Sequence, residues 1–190
     1  MRAFIAITLD EQVYGELAEK QAGMRQFCSD INWVEPKDIH LTLKFMDNID
    51  EQQVEKIIET LDELVSRQKP FNMRLSNISA FPDIYYPKLI WLGISIGLTE
   101  CIVLHRAVEE SMEKLGFLKS MRSFKPHMTL GRIRHLGDRH WLMDLLRSEK
   151  DFTLRHIVSV NAISLIESEL TPKGPIYKTI KEFPFGEQGQ

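Results

Sequence analysis

One short pattern occurs twice in this chain. Residues 40–43 read HLTL and residues 127–130 read HMTL, so each copy has a histidine and a threonine separated by one apolar residue. With six His and eight Thr among 190 residues, about 0.25 His-x-Thr triplets are expected by chance, and two are present. Alternate side chains of a β-strand share a face, so each copy predicts a strand with an imidazole and a hydroxyl side by side.

Apolar periodicity predicts alternating strands and helices along the whole chain. Residues 10–27, 50–68, 98–117 and 137–150 carry apolar positions at helical spacing. The strand-like segments are 3–9, 31–47, 71–81, 88–97, 125–133, 152–170 and 176–183. The second copy of the motif again lies on a strand, which indicates two similar lobes. Since no linker-like or low-complexity stretch separates them, we expect one unit.

Charge and cysteine content restrict the classes of protein. A formal charge of −3 and a pI near 6.1 argue against binding nucleic acid through a broad basic surface, so any RNA should be held locally. Cys28 and Cys101 match no metal or redox spacing and are predicted to be reduced structural thiols. No apolar stretch reaches 18 residues, so we expect a soluble, cytoplasmic protein with no membrane partner.

Two imidazoles and two hydroxyls suit phosphodiester cleavage. A neutral histidine can take a proton from water while a protonated one gives a proton to the leaving oxygen. The threonines, and Arg132 as a fixed charge, can stabilise the phosphate oxygens. Zinc needs three or four close ligands and neither motif supplies such spacing, so no metal and no cofactor are expected. The alternative is that both histidines are surface residues or have partners in the core.

Longer blocks of sequence surround the two motifs. MRAFIAI, WVEPKDIHLTLKF, KLIWLGI, FKPHMTLGR and LIESELTPKGPIYK occur in this order over nearly the whole chain. In these blocks the chain resembles the 2H phosphoesterase superfamily, and within it the RNA 2′,3′-cyclic phosphodiesterases, also called LigT-like 2′-5′ RNA ligases. The resemblance implies an α+β fold in which residues 1–190 form a single bilobal domain. Its two pseudo-symmetric lobes would each be an antiparallel sheet with outer helices, around a central cleft.

The same resemblance implies an activity and residue roles. His40 would donate a proton to the leaving oxygen and His127 would accept one from water, while Thr42, Thr129 and Arg132 would bind the phosphate. The expected reaction is metal-independent hydrolysis of 2′,3′-cyclic phosphates on RNA ends or small nucleotides to 2′-phosphates, with 2′-5′ RNA ligation as its reverse. We expect a monomer. The alternative function is a noncatalytic module that binds RNA ends or nucleotides in the same cleft.

Regular strand alternation gives three further expectations. Arg132 lies five positions from His127 and would face away from it, unless Gly131 hosts a bulge. Lys44 would share a face with Thr42, where solvation is favoured slightly over phosphate binding. Phe45 would lie opposite, so core packing is favoured over stacking on a base.

The remaining candidates have weaker signals. Six Lys or Arg and one acid lie between residues 119 and 140, which could guide an RNA end or be a solvated face. Three further aromatic residues could contact a base or pack against the protein, namely Trp33, Tyr85 and Tyr86. The two tyrosines are better placed for binding, because they lie in a predicted loop. Four histidines without a Thr partner are predicted to be structural or surface residues, namely His105, His135, His140 and His156.

Overall fold

A computed structural model describes residues 1–25, 31–121, 123–135, 139–172 and 174–186. The helices are α1 (Glu11–Arg25), α2 (Glu51–Ser66), α3 (Leu98–Lys114) and α4 (Arg139–Ser148), and a 3₁₀ helix spans Pro36–Asp38. The strands are β1 (Ala3–Ile7), β2 (Ile31–Trp33), β3 (Leu41–Met46), β4 (Phe71–Phe81), β5 (Leu89–Ile96), β6 (Met128–Ile133), β7 (Val158–Val160), β8 (Ala162–Thr171) and β9 (Gly174–Pro184).

These strands form two antiparallel sheets, one in each lobe. The first sheet has the order β3-β1-β8-β9 and the second has the order β2-β6-β5-β4-β7. Helices α2 and α3 contact strands of the first sheet, and α4 contacts the second. The predicted α+β fold with two antiparallel lobes is therefore confirmed. The lobes do not correspond to sequence halves, because β8 and β9 join β1 and β3 in the first sheet while β2 and β4 belong to the second.

Local sequence signals explain where two of the helices begin. At α2, Asp50 accepts a hydrogen bond from the Gln53 backbone N–H at 2.8 Å, and the Gln53 side chain accepts one from Asp50 N at 3.0 Å. Helix α3 begins at Leu98, the first residue of the segment for which the sequence predicted a helix. The preceding Gly97 has φ +82°, and a Cβ there would lie 2.5 Å from Asn72 O, so this turn requires glycine.

Strand β1 is buried on both of its faces. Ala3, Ile5 and Ile7 belong to a large apolar core whose buried side chains come from both lobes. Phe4 and Ala6 point to the opposite face, where they form a small second cluster with the buried Ile166, against which Tyr177 packs. This second cluster supports the side of the first sheet on which the first motif lies. Within the described ranges, no helix is long and apolar enough to cross a membrane.

Candidate active site

The two motifs meet at one cleft. His40 directly precedes β3 and His127 directly precedes β6, each one residue before the strand that the sequence predicted would contain it. The cleft has a volume of about 910 Å³, near the upper end of the range usual for small-molecule sites. All five residues to which the sequence analysis gave a role in the reaction line it, namely His40, Thr42, His127, Thr129 and Arg132.

Strand β3 has a bulge immediately after Thr42. On β1, Ile5 pairs with Lys44 and Ala6 pairs with Thr42, so Leu43 is an extra residue in the pairing. Leu43 and Lys44 are consequently both buried, and Phe45 is exposed and lines the cleft. The expectation that Phe45 packs in the core was therefore wrong, because the bulge reverses the alternation on which it rested.

Lys44 is also placed differently from the sequence-based expectation. It is 6% exposed, and its Nζ donates to Glu109 Oε2 at 2.9 Å and to Leu118 O at 2.6 Å. Glu109 Oε2 in turn accepts from Ser120 N at 3.2 Å. The residue is neither solvated nor a free phosphate ligand, since its charge is paired with a buried carboxylate that fixes the segment after α3.

Strand β6 has a bulge at the equivalent position. On β5, Ile90 pairs with Gly131 and Trp91 pairs with Thr129, so Leu130 is the extra residue. Gly131 was expected to host a bulge, and the extra residue is its neighbour Leu130. After the bulge, Arg132 is exposed and lines the cleft together with His127 and Thr129. The bulge thus removes the conflict between strand alternation and the expected position of Arg132.

Glycine is required at position 131 by close packing. A Cβ on Gly131 would lie 2.6 Å from Ile31 Cγ2 and 3.2 Å from Trp33 Cε3. Strand β2 could not approach β6 this closely with a larger residue there. Trp33, one of the aromatic candidates for contact with a base, also lines the cleft.

The two histidine rings are oriented in the same way. His40 Nδ1 lies 2.7 Å from Asp38 O, and His127 Nδ1 lies 2.6 Å from Lys125 O, in each case the carbonyl two residues earlier. Because a carbonyl oxygen only accepts, Nδ1 carries a proton and donates in both rings. This fixes the neutral tautomer and leaves Nε2 as the ring atom that can gain or lose a proton in the cleft.

Aromatic residues surround both imidazoles. Phe4 stacks on His40 with ring centroids 4.6 Å apart, and Tyr177 meets the same ring edge-on at 5.4 Å. Phe81 meets His127 edge-on at 5.0 Å. Burial lowers the pKa of His40, and its hydrogen bond to Asp38 O opposes this lowering in part. In the free protein the neutral form of His40 is therefore favoured more than in an exposed histidine.

This environment predicts that an anion bound beside His40 raises the pKa of that ring. NMR titration of the free protein is expected to show a His40 pKa below the ordinary histidine value, and inorganic phosphate is expected to raise it, because an adjacent anion stabilises the imidazolium. His140, which is not among the described residues lining the cleft, serves as the control. An unchanged His40 pKa in saturating phosphate would contradict the placement of the anion beside this ring.

Tyr177 and His105 are among the described residues that line the cleft but were not assigned to it from sequence. Tyr177 of β9 lines the cleft; burial and the Asp38 carboxylate raise its pKa, whereas Arg132 lowers it. His105, which was predicted to be a structural or surface residue, also lines the cleft, and its Nδ1 lies 2.8 Å from Leu43 O. Neither residue repeats the motif, so the sequence contained no direct signal for them apart from the resemblance block that includes Tyr177.

Other candidates lie at or beyond the edge of the cleft. Tyr85 and Tyr86 are exposed, and Arg139 lies over the Tyr86 ring at 4.9 Å. Of the basic residues between 119 and 140, Lys125 and Arg132 line the cleft, and Lys119 pairs with Glu113 at 2.7 Å.

The remaining histidines and cysteines have other surroundings. His156 Nδ1 contacts Glu16 Oε2 at 2.9 Å, and His135 and His140 are exposed. Burial raises the pKa of the free thiol of Cys101 to about 12, whereas Cys28 lies outside the described residues. In the described part of the chain, no three His, Cys, Asp or Glu side chains converge where they could hold a metal ion.

Comparison with known proteins gives consistent matches, and those to relatives span nearly the whole chain. A family model described as LigT like Phosphoesterase matches residues 7–91. An RNA 2′,3′-cyclic phosphodiesterase of Aquifex aeolicus is 33% identical over 98% of this chain and 98% of its own, and one of Methanocaldococcus jannaschii is 32% identical over 96% and 100%.

Solved structures show the same fold. The crystal structure of a Thermus thermophilus protein matches with a TM-score of 0.84 and 27% identity, covering 99% of this chain and 100% of that one. Escherichia coli LigT in complex with 3′-AMP matches in fold with a TM-score of 0.74 and 18% identity, covering 98% of each chain. These matches confirm the resemblance that the sequence motifs indicated. The chain belongs to the LigT-like phosphoesterase family.

Proposed function

We propose that this protein hydrolyses 2′,3′-cyclic phosphates at RNA ends by proton transfer between two histidines. The activity for which its relatives are named, RNA 2′,3′-cyclic phosphodiesterase, supports this substrate class. The observation that carries the proposal is the matched orientation of His40 and His127. Each ring is held through Nδ1 at one cleft, so two Nε2 atoms are available for a reaction that needs one acid and one base.

The proposed reaction is a single displacement at phosphorus. His127 takes a proton from water, and the water oxygen forms a bond to phosphorus while the bond from phosphorus to the 3′-oxygen breaks. His40, protonated when the anionic phosphate is bound, gives its proton to the departing 3′-oxygen. The products are a 2′-phosphate and a 3′-hydroxyl. With a 5′-hydroxyl in place of water, the same displacement forms a 2′-5′ link, which is the proposed ligation reaction.

The other cleft residues supply charge and orientation. Thr42 and Thr129 can donate hydrogen bonds to the non-bridging oxygens, where negative charge increases in the transition state. Arg132 offers a guanidinium for the same oxygens. Phe45 is 66% exposed and lines the cleft, and an aromatic face of this kind can stack on the terminal base. We further propose that residues 1–190 act as one bilobal domain, which the shared apolar core supports.

The product isomer tests this proposal. The purified protein is incubated with nucleoside 2′,3′-cyclic phosphates and with an RNA oligonucleotide ending in one, in the presence of EDTA. Hydrolysis is expected to proceed in EDTA, because the proposed acid and base are side chains rather than metal-bound water. Phosphorus NMR is expected to show the 2′-phosphate as the main product, because the 3′-oxygen is the leaving group in the proposed displacement. A 3′-phosphate product would place the substrate in the opposite orientation. Binding without turnover, with or without added divalent ions, would favour the noncatalytic module.

A further inference from the structure

The backbone carbonyls at the two bulges are each held by a side chain from a helix. On α3, His105 Nδ1 lies 2.8 Å from Leu43 O and donates to it. On α1, Gln21 donates from Nε2 to Leu130 O at 3.0 Å and to Val34 O at 2.9 Å. Leu130 O also accepts from Val34 N at 2.9 Å. Both motif strands therefore have the same arrangement, in which a helix side chain contacts the residue that interrupts strand pairing.

Each bulge determines what enters the cleft. Without the extra residue Leu43, alternation would turn Phe45 away from the cleft and into the core. Without the extra residue Leu130, it would turn Arg132 away from His127. A bulge is an irregular register that competes with regular pairing, so interactions specific to the bulged form are needed to maintain it.

His105 has a second contact that reaches the other motif. Its ring stacks on Phe124 with centroids 3.7 Å apart and an interplanar angle of 13°. Phe124 lies three residues before His127 and lines the cleft, as does His105 itself. One side chain of α3 thus contacts the strand that follows His40 and the segment that leads to His127.

We propose that His105 and Gln21 are positioning residues for the reaction, and this inference rests on the proposed function. Gln21 holds the bulge that directs Arg132 into the cleft, and His105 holds the bulge that directs Phe45. Neither residue is proposed to contact the substrate itself. Their effect on the reaction passes through the residues that the bulges orient.

Gln21→Met tests the first half of the proposal, because methionine has a similar shape and no N–H donor. We expect kcat/KM for a nucleoside 2′,3′-cyclic phosphate to fall roughly 10-fold, less than the roughly 100-fold that a 1 Å misplacement of a reacting group can cost. In an Arg132→Ala background the same substitution should cost little, whereas in a Phe45→Ala background it should keep its full effect. A purely structural role predicts the same loss in every background.

The two contacts of His105 can be tested separately by substitution. His105→Phe keeps a ring against Phe124 and removes the donor to Leu43 O, whereas His105→Asn keeps a donor near the position of Nδ1 and removes the ring. We expect His105→Phe to lower kcat/KM roughly 10-fold and this loss to shrink in a Phe45→Ala background. His105→Asn should lose less than His105→Phe. Glu110→Gln, an exposed change on the same helix, is the matched control.

A second measurement separates this inference from the proposed function. The affinity for inorganic phosphate, measured by NMR titration, should fall in Gln21→Met and remain unchanged when that substitution is added to Arg132→Ala. This result is expected even if the wild-type protein hydrolyses no cyclic phosphate. Wild-type kcat/KM and phosphate affinity in folded variants would overturn the inference, as would equal losses in all backgrounds. If Gln21→Met does not fold, the variants of His105, a half-buried residue, test the inference instead.

Discussion

Replacing His127 with alanine is expected to lower kcat by roughly 10² to 10⁴, the usual contribution of general acid–base catalysis. His40→Ala should have an effect of the same order, because both rings take part in the proposed displacement. Single-turnover kinetics with a nucleoside 2′,3′-cyclic phosphate measure the chemical step directly. Both variants should remain folded, since the buried neighbours Leu41 and Met128 are unchanged.

The double variant distinguishes a coupled pair from two independent contributions. Residues that act as a unit are strongly non-additive, so the double variant should be little slower than the slower single variant. His156→Ala is a control for the loss of an imidazole outside the cleft, since His156 pairs with Glu16 at the junction of α1 with the segment before β7. Near wild-type turnover in folded His127→Ala would make the two-histidine mechanism wrong and the noncatalytic module the better account.

The pH dependence of the wild-type protein gives the same pair a second signature. The rate should be bell-shaped, because one ring must be protonated and the other neutral. The two limbs should belong to the coupled pair rather than to either ring. Burial lowers the pKa of His40 in the free protein, and a phosphate bound beside it is expected to raise that pKa, so the limbs of kcat/KM and of kcat should lie at different pH.

The motif residues of the cleft could be predicted from sequence because they depend on a short regular pattern. His40 with Thr42, and His127 with Thr129, need only the alternation between successive strand residues, and the bulges come after them. Phe45 could not be placed by the same rule. One extra residue reverses every later side chain, and leucine at the bulge gives no sign of it in the sequence.

The contacts that come from helices were beyond sequence reasoning for a different reason. Glu109 and His105 meet Lys44 and Leu43 across 65 and 62 residues of chain, and Gln21 meets Leu130 across 109. Helical periodicity indicates which face of a helix is buried, and it contains no information about which strand that face meets. His105 on α3 was therefore predicted to be a structural or surface residue, although it lines the cleft.

Removal of either threonine hydroxyl is expected to lower kcat by roughly 10² to 10³, the loss typical of one donor to a developing negative charge. Thr42→Val and Thr129→Val keep the β-branched shape that suits the strands and remove only the polar group. Since the lost hydrogen bond strengthens in the transition state, kcat should fall more than KM rises.

Thr42→Ser and Thr129→Ser are the matched variants, because serine restores a hydroxyl without the methyl group. They should recover most of the activity lost in the valine variants.

The two threonine positions differ in their surroundings. Arg132 lies three residues beyond Thr129 on the same strand, and Phe45 has the equivalent place beyond Thr42. A guanidinium can compensate in part for a lost hydroxyl at the phosphate, whereas a phenyl ring cannot. Thr42→Val should therefore be the slower of the two variants, and the opposite order in steady-state kinetics would show that Arg132 does not share the phosphate with Thr129.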